Sequence, residues 1–296
     1  MVAHAGVLYV VATPIGNLED ITLRALRILR EVNLIAAEDT RVTRKLLSHY
    51  GIHTPITSLH EYSPPAKIEE LASRLLAGES IALVTDAGTP TLSDPGSALI
   101  RRAREVGVSI FCVPGASAVT AAVSLAGLAE GRFVFDGFPP RKSKERRAYL
   151  QSLQAEQRAV VWFEAPHRMA ALLRDVLEVL GDRELFLARE LTKQFEEARL
   201  AKASEWLVHL ERVPPRGEFT LILLPREPAP LPPPEDPLQV VQELIAQGMG
   251  EKEALKETAR RTGISRRTLY TLWLRRRQQT AGENIPDISN EGGTPR

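Results

Sequence analysis

The chain is short of several things, and each shortage excludes a class of protein. It has one cysteine, Cys112, so no intramolecular disulfide can form and no Cys-based zinc site is available. Cys112 sits in an apolar run, residues 108–113, and reads as a buried structural thiol. No apolar run approaches the roughly 20 residues of a membrane-spanning helix. The opening MVAHAGVLYVVATP lacks the basic start and long apolar core of a secretory signal. A cytoplasmic protein with no membrane partner is the expectation. No GxGxxG opens the first loop, which disfavours an NAD oxidoreductase, and no GK[ST] is present to cradle a nucleoside triphosphate. The formal net charge is only +1, so any nucleic-acid surface must come from uneven placement of charge.

What is present suffices for two compact domains and a small third unit: 296 residues, 44% of them hydrophobic. Short runs rich in β-branched residues at 7–12, 34–37, 81–85 and 110–113 read as buried strands. Helical patterns at 23–30, 44–49, 68–77, 97–105 and 118–126 alternate with them, which predicts a largely parallel sheet covered on both faces. The second half offers strands at 133–135, 159–163, 184–189, 197–201 and 219–224, with helices at 145–153, 169–180 and 204–211. Its two closely spaced strands around 187–201 predict an antiparallel part in a mixed sheet. The expected divisions are an α/β domain over 1–115, a second α/β domain over 116–225, a proline-rich linker over 226–237, a helical unit over 238–280 and a disordered tail over 281–296.

Four strand ends carry loops unlike ordinary connections, and ligands of open α/β sheets gather there. The first is Ala12-Thr13-Pro14-Ile15-Gly16-Asn17, where small residues allow close backbone approach. The second, Glu38-Asp39-Thr40-Arg41, puts two carboxylates, a hydroxyl and an arginine directly after a strand. Asp39 or Thr40 could serve only to cap the next helix, which leaves Glu38 and Arg41 over. The third, Thr85-Asp86-Ala87-Gly88-Thr89-Pro90, is followed by Asp94-Pro95-Gly96, in which Asp94 can cap a helix with Pro95 at its first position. The fourth, Val113-Pro114-Gly115-Ala116-Ser117-Ala118, ends on a helix start suited to a negative group.

Beyond the prolines the chain turns basic. Residues 238–279 hold nine Lys and Arg against four Glu. Gly263 can make a tight turn and Ser265 can cap a second helix that presents Arg266, Arg267 and Tyr270, the layout of a helix-turn-helix.

Taken in order, TPIGNLEDIT, AAEDTRVTRKLL, LVTDAGTPTLSDPG, VPGASAVTAAVS, FEAPHR, ARELTKQFEE and GEFTLIL resemble the tetrapyrrole-methylase-like (class III) methyltransferases, and within them the branch that acts on small-subunit ribosomal RNA. The resemblance covers about residues 7–224, and the basic tail is similar to that branch's C-terminal helix-turn-helix. It implies two α/β domains with S-adenosyl-L-methionine in the cleft between them. It also implies 2′-O-methylation of a cytidine ribose in the decoding centre of 16S ribosomal RNA, within the small subunit, by a homodimer. Relatives act on tetrapyrroles or on protein, so a methyltransferase of the same fold on such a substrate is the alternative. A non-catalytic RNA-binding protein is a second one.

Carried over by position, the cofactor is expected at Pro14, at Asp86, Ala87, Gly88, Thr89 and Pro90, and at Ser117 and Ala118. Phe163, Glu164, Ala165, Glu218, Phe219 and Thr220 complete the expected set. No metal is needed, because the sulfonium already activates the methyl group. The catalytic candidates are Glu38, Asp39, Arg41 and Glu61, with Glu164 as a further possible base and His60 and His167 as weaker ones. Lys142, Arg168, Arg189, Lys193, Arg266 and Arg267 are the expected RNA contacts.

Overall fold

A computed structural model describes residues 6–128, 131–225 and 236–282, with side chains described to 276. The expected linker and tail fall almost wholly outside these residues. The chain divides into two compact units, 1–226 and 227–296.

The first unit holds two five-stranded sheets. Strands β1 (Val7–Val11), β2 (Leu34–Ala37), β3 (Ile56–Ser58), β4 (Ile81–Val84) and β5 (Ser109–Val113) form the first, in the order β3-β2-β4-β1-β5 and parallel throughout. β2 and β4 are buried along their whole length, as parallel strands covered by helices must be. Helices α1 (Leu23–Glu31) and α2 (Thr40–His49) cover one face. Helices α3 (Pro65–Leu76) and α4 (Ser97–Glu105) cover the other. Thr22 starts α1 by accepting from the amide of Ala25 at 3.0 Å. Because every strand runs the same way, all the β-to-α loops share one rim and all the α-to-β turns share the opposite one. The loops that leave β1 and β4 are the long ones, while β4 and β5 are entered through short turns at residues 77–80 and 106–108.

The second sheet is mixed, in the order β6-β7-β10-β8-β9: β6 (Phe133–Phe135), β7 (Ala159–Glu164), β10 (Phe219–Leu223), β8 (Glu184–Arg189) and β9 (Glu197–Lys202). Only β6 and β7 pair parallel, and β8 and β9 form the antiparallel part that their spacing predicts. Side chains alternate between two cores. Val160, Trp162, Leu185, Leu187, Leu221 and Leu223 meet α6 (Ser143–Ser152), α7 (Pro166–Leu180) and α8 (Ala203–Arg212). Val161, Phe186, Ala188 and Ile222 meet α5 (Ala118–Ala126) and also Ile15, which comes from the first sheet's side.

Two expectations need correction. Cys112 is exposed. It lies on β5, the edge of its sheet, where only Val113 is buried and Phe111 stacks at 6.1 Å on Tyr9 while half exposed. Apolar composition does not distinguish an edge strand from a central one. Asp94 does not cap α4. The helix begins at Ser97 behind Gly96, whose φ of 112° only glycine adopts easily, and no side chain caps it. The short β3 escaped the sequence reading because Ile-Thr-Ser has too little apolar pattern to register.

The second unit packs α9 (Pro237–Ala246), α10 (Glu251–Thr262) and α11 (Arg266–Gly282) around Val241, Leu244, Leu255, Leu269 and Trp273. Gly263 ends α10 in the left-handed conformation, and Ser265 Oγ accepts from the amide of Thr268 at 3.2 Å, capping α11. Arg266 and Arg267 are exposed on its first turn. Among the described residues no helix is long and apolar enough to cross a membrane.

Candidate active site

A cavity in the first unit has a volume of about 350 Å³, within the range of small-molecule sites. Loops from both sheets line it. Ile15, Ala87, Gly88, Thr89, Leu92, Ser117 and Ala118 come from the first sheet's long loops and the start of α5. Phe138, Phe163, Glu164, Ala165, Pro166, Leu191, Gly217, Glu218, Phe219 and Thr220 come from the second. The expected cofactor residues therefore meet in one place, except Pro14, Asp86 and Pro90, which flank it. Sequence reasoning missed Ile15, Leu92, Phe138, Pro166, Leu191 and Gly217. Leu92 and Leu191 stand inside motifs already singled out, and Phe138 precedes the Pro139-Pro140 turn, so proximity to those motifs was the available signal.

The backbone around the cavity is unusual. Thr91, Ser93, Glu190 and Thr192 are the only described non-glycine residues with positive φ, and they lie in two of the loops that shape it. A Cβ on Gly16 would stand 2.5 Å from Lys193 Cγ and 2.9 Å from the carbonyl of Leu191, so the first loop is pressed against the loop after β8. Thr13 and Gly88 exchange backbone hydrogen bonds of 2.9 and 3.1 Å, tying the loops after β1 and β4 together.

Glu164 is 2% exposed. Burial raises its pKa, against the Ala165 amide, which donates to Oε1 at 2.8 Å, and the charge of Arg168. Its Oε2 is buried with no hydrogen-bond partner. An orphaned buried carboxylate oxygen on a cavity wall is a place for a donor from a ligand.

Beside the cavity lies an acidic group. Thr85 Oγ1 donates to Glu38 Oε2 at 2.6 Å, and Asp86 Oδ1 accepts from the amide of Asp39 at 3.0 Å. Burial raises the pKa of Asp86, with the charges of Glu38 and Asp39 adding to it. Asp94 is pushed up to about 6 by burial, with the charges of Glu38 and Asp86 adding and a hydrogen bond with Thr85 opposing. Asp39 is the N-cap of α2 and is gripped by Arg41, which holds its pKa down at about 2. That pair satisfies itself, and Asp39 is a poor proton acceptor at neutral pH. Glu61 sits on an exposed turn before α3, away from this group's hydrogen bonds.

Among the expected RNA contacts, Lys142 is exposed and pairs with Glu145. Arg168 donates to the carbonyls of Pro139 and Pro140 and stands 3.1 Å from Glu164. Arg189 faces Glu197 at 3.7 Å, and Lys193 bridges Glu190 and Glu218 at 2.9 and 3.2 Å. Arg168 and Lys193 are held by internal partners, whereas the buried Nε of Arg189 makes no hydrogen bond.

Residues 7–206 match the family of tetrapyrrole (corrin/porphyrin) methylases. The ribosomal RNA small subunit methyltransferase I of Thermotoga maritima is 48% identical over 222 residues, which span 75% of this chain and all of that one. The protein of the same name from Synechocystis is 43% identical, over 91% of this chain and 98% of that one. The chain belongs to the tetrapyrrole methylase family, with the ribosomal RNA small subunit methyltransferases I. A solved diphthine synthase shares the fold, with a TM-score of 0.59 and 16% identity over 74% of this chain and 90% of that one. The Thermotoga relative leaves a quarter of this chain without a counterpart, about the length of the second unit.

Proposed function

We propose that this protein methylates the ribose 2′-hydroxyl of a cytidine in the decoding centre of 16S ribosomal RNA, in the cytoplasm, as a homodimer acting on the small subunit. S-adenosyl-L-methionine is the methyl donor. The observation that carries the reading is the convergence of the loops after β1, β4 and β5 with Phe163–Ala165 and Glu218–Thr220 on one cavity.

The cavity suits that donor. Phe138, Phe163 and Leu92 offer apolar walls for a heteroaromatic ring, and the start of α5 at Ser117 and Ala118 offers amides to a carboxylate. The unpartnered Glu164 Oε2 can accept from an amino or hydroxyl group. When bound, the donor supplies a methyl group already activated on sulfur. The remaining work belongs to the protein: to align the ribose oxygen, exclude water and receive a proton. Within the acidic group we favour Glu38 for that last task, since Asp39 and Arg41 neutralise each other. We assign 1–115 and 116–225 as the two lobes of the catalytic body, and Lys142, Arg266 and Arg267 as contacts to RNA phosphates.

Incubation with tritiated donor and small subunits from cells lacking the endogenous enzyme should place label on a cytidine ribose. Label on protein or on a tetrapyrrole, with none on RNA, would overturn the reading. Truncation after residue 226 should leave donor affinity unchanged in calorimetry. It should lower subunit affinity and flatten its dependence on salt, because fewer phosphate counterions are released. Equal salt slopes for the two chains would remove the helical unit from the interface.

A further inference from the structure

We propose that Phe138 is the platform on which the target pyrimidine base of the RNA stacks while its ribose is methylated, a reading that deepens the proposed function and rests on it.

Three phenylalanines line the cavity, and they are graded in exposure. Phe219 is buried, Phe163 is half-buried and Phe138 is 53% exposed. Phe163 touches both Phe135 and Phe138, with ring centroids 4.9 and 5.7 Å away. The tilted contact with Phe163 occupies one part of the Phe138 ring and leaves the rest open. Single exposed apolar side chains are common on proteins, so exposure alone assigns nothing. Here it coincides with a place on the wall of the site and with a backbone that has no slack.

The turn that carries Phe138 is fixed on both sides. Gly137 takes φ of 63°, and its carbonyl accepts from the amide of Phe163 at 2.8 Å. A Cβ on Gly137 would stand 3.2 Å from Ser93 Oγ, so the turn is pressed against the loop after β4. Pro139 is buried. Arg168 donates to the carbonyl of Pro139 at 2.6 Å, and Arg146 to that of Arg141 at 3.1 Å. Each of these arginines is anchored in turn on a buried carboxylate, Glu164 for the first and Asp175 for the second. The ring is therefore held out by its surroundings rather than left out by a loose loop.

The reaction calls for such a ring. In-line displacement needs the ribose oxygen, the methyl carbon and the sulfur on one line, so the ribose must come to the cavity that holds the donor. Its base, one glycosidic bond away, then stands beside the cavity wall and out of the RNA stack. Proteins hold unstacked RNA bases on aromatic side chains, which replace the stacking that the base gives up. Of the phenyl rings on the cavity wall, Phe138 alone offers an open surface of that kind. Exposed Arg141, Lys142 and Lys144 follow three to six positions later, on the same turn and the start of α6. An aromatic ring beside cations suits a single strand, whose base stacks while its phosphates meet charge.

Single-turnover methyl transfer by the full chain to unmodified small subunits, at saturating donor and subunit, tests the assignment. Phe138→Ala and Phe138→Leu should each lose roughly ten- to a hundredfold in rate, the scale of one base stacked on one aromatic ring. Phe138→Trp, which restores a π face, should recover the rate. Donor affinity in calorimetry should stay close to wild type in all three, because Phe163 and Leu92 still wall the donor. The added indole of Phe138→Trp, read as the difference from wild type, should be quenched by subunits and not by donor. A rate for Phe138→Leu equal to wild type would make the residue a plain apolar wall and overturn the stacking role. Loss of donor affinity in step with rate in Phe138→Ala would overturn it too, by placing the ring in the donor site. A wild-type protein that transfers no methyl to subunits sinks the proposed function and the platform with it. Wild-type transfer with an unaffected Phe138→Ala sinks the platform alone.

Discussion

Replacing Asp175 with alanine should destabilise the first unit by about 3–5 kcal/mol, the cost of leaving a buried charge without its partner. Asp175 is 3% exposed and Arg146 is 5% exposed, and their ion pair closes to 2.5 Å. Asp175 also accepts from Arg147 Nε at 2.8 Å. Arg146 reaches on to the carbonyl of Arg141 at 3.1 Å, so this one carboxylate anchors α6, α7 and the basic turn before α6. Urea denaturation followed by the fluorescence of Trp162 and Trp206, both in the adjoining core, measures the loss. The difference should depend on pH. Burial alone would raise the pKa of Asp175, but the hydrogen bonds from Arg147 and Arg146 outweigh it and hold the group below its ordinary value. A depressed carboxylate stabilises the fold above its unfolded pKa, about 3.9, and that stabilisation is lost as pH falls through the folded value. The gap between wild type and variant should therefore be full at neutral pH and close in acid. An equally large gap at pH 3 would show that packing, not charge, carries the effect. Lys142→Ala, which breaks an exposed pair, should change stability little.

Gly88→Val should weaken donor binding roughly ten- to a hundredfold, which corresponds to 1–3 kcal/mol of backbone strain. Gly88 has φ of 81°, where a β-branched residue is a clear outlier, and a Cβ there would press on Ile15 Cγ2 at 3.3 Å. In the free protein the loop can relieve the strain by leaving its place. Binding must then pull it back, so the penalty falls on affinity more than on folding. Calorimetry with the donor reads it, alongside a thermal melt. Unchanged affinity would mean that the donor does not use this wall.

Much of this arrangement is legible in the sequence. Strands β1, β2 and β4 declare themselves by apolar runs, and each ends in a loop of small and charged residues that no ordinary turn requires. The direction of a parallel sheet then brings those loops together. The opposite wall is less legible. Leu191 stands at the cavity where Gly16 lets the loop after β8 close on the first loop, a contact that has no period and no local signature. Asp94 was hidden for another reason. Asp-Pro-Gly reads as the start of a helix, and only the observed φ of Gly96 shows that the start lies further on. Arg168 and Lys193 show the same limit in charge: sequence marks a cation, and tertiary structure decides whether its partner is a ligand or a neighbouring carboxylate.

The division of the first sheet into a rim of long loops and a rim of short turns gives the catalytic body a blank end. The turns entering β4 and β5, at residues 77–80 and 106–108, hold no part of the cavity. Gly78, in the first turn, is exposed, and a side chain on Gly107, in the second, would meet open space. A fluorophore or affinity handle attached there would follow the enzyme onto its large substrate without standing between the two. The same asymmetry gives mutation two grades of consequence on one sheet, since changes at the blank end are felt through folding and changes at the other through chemistry.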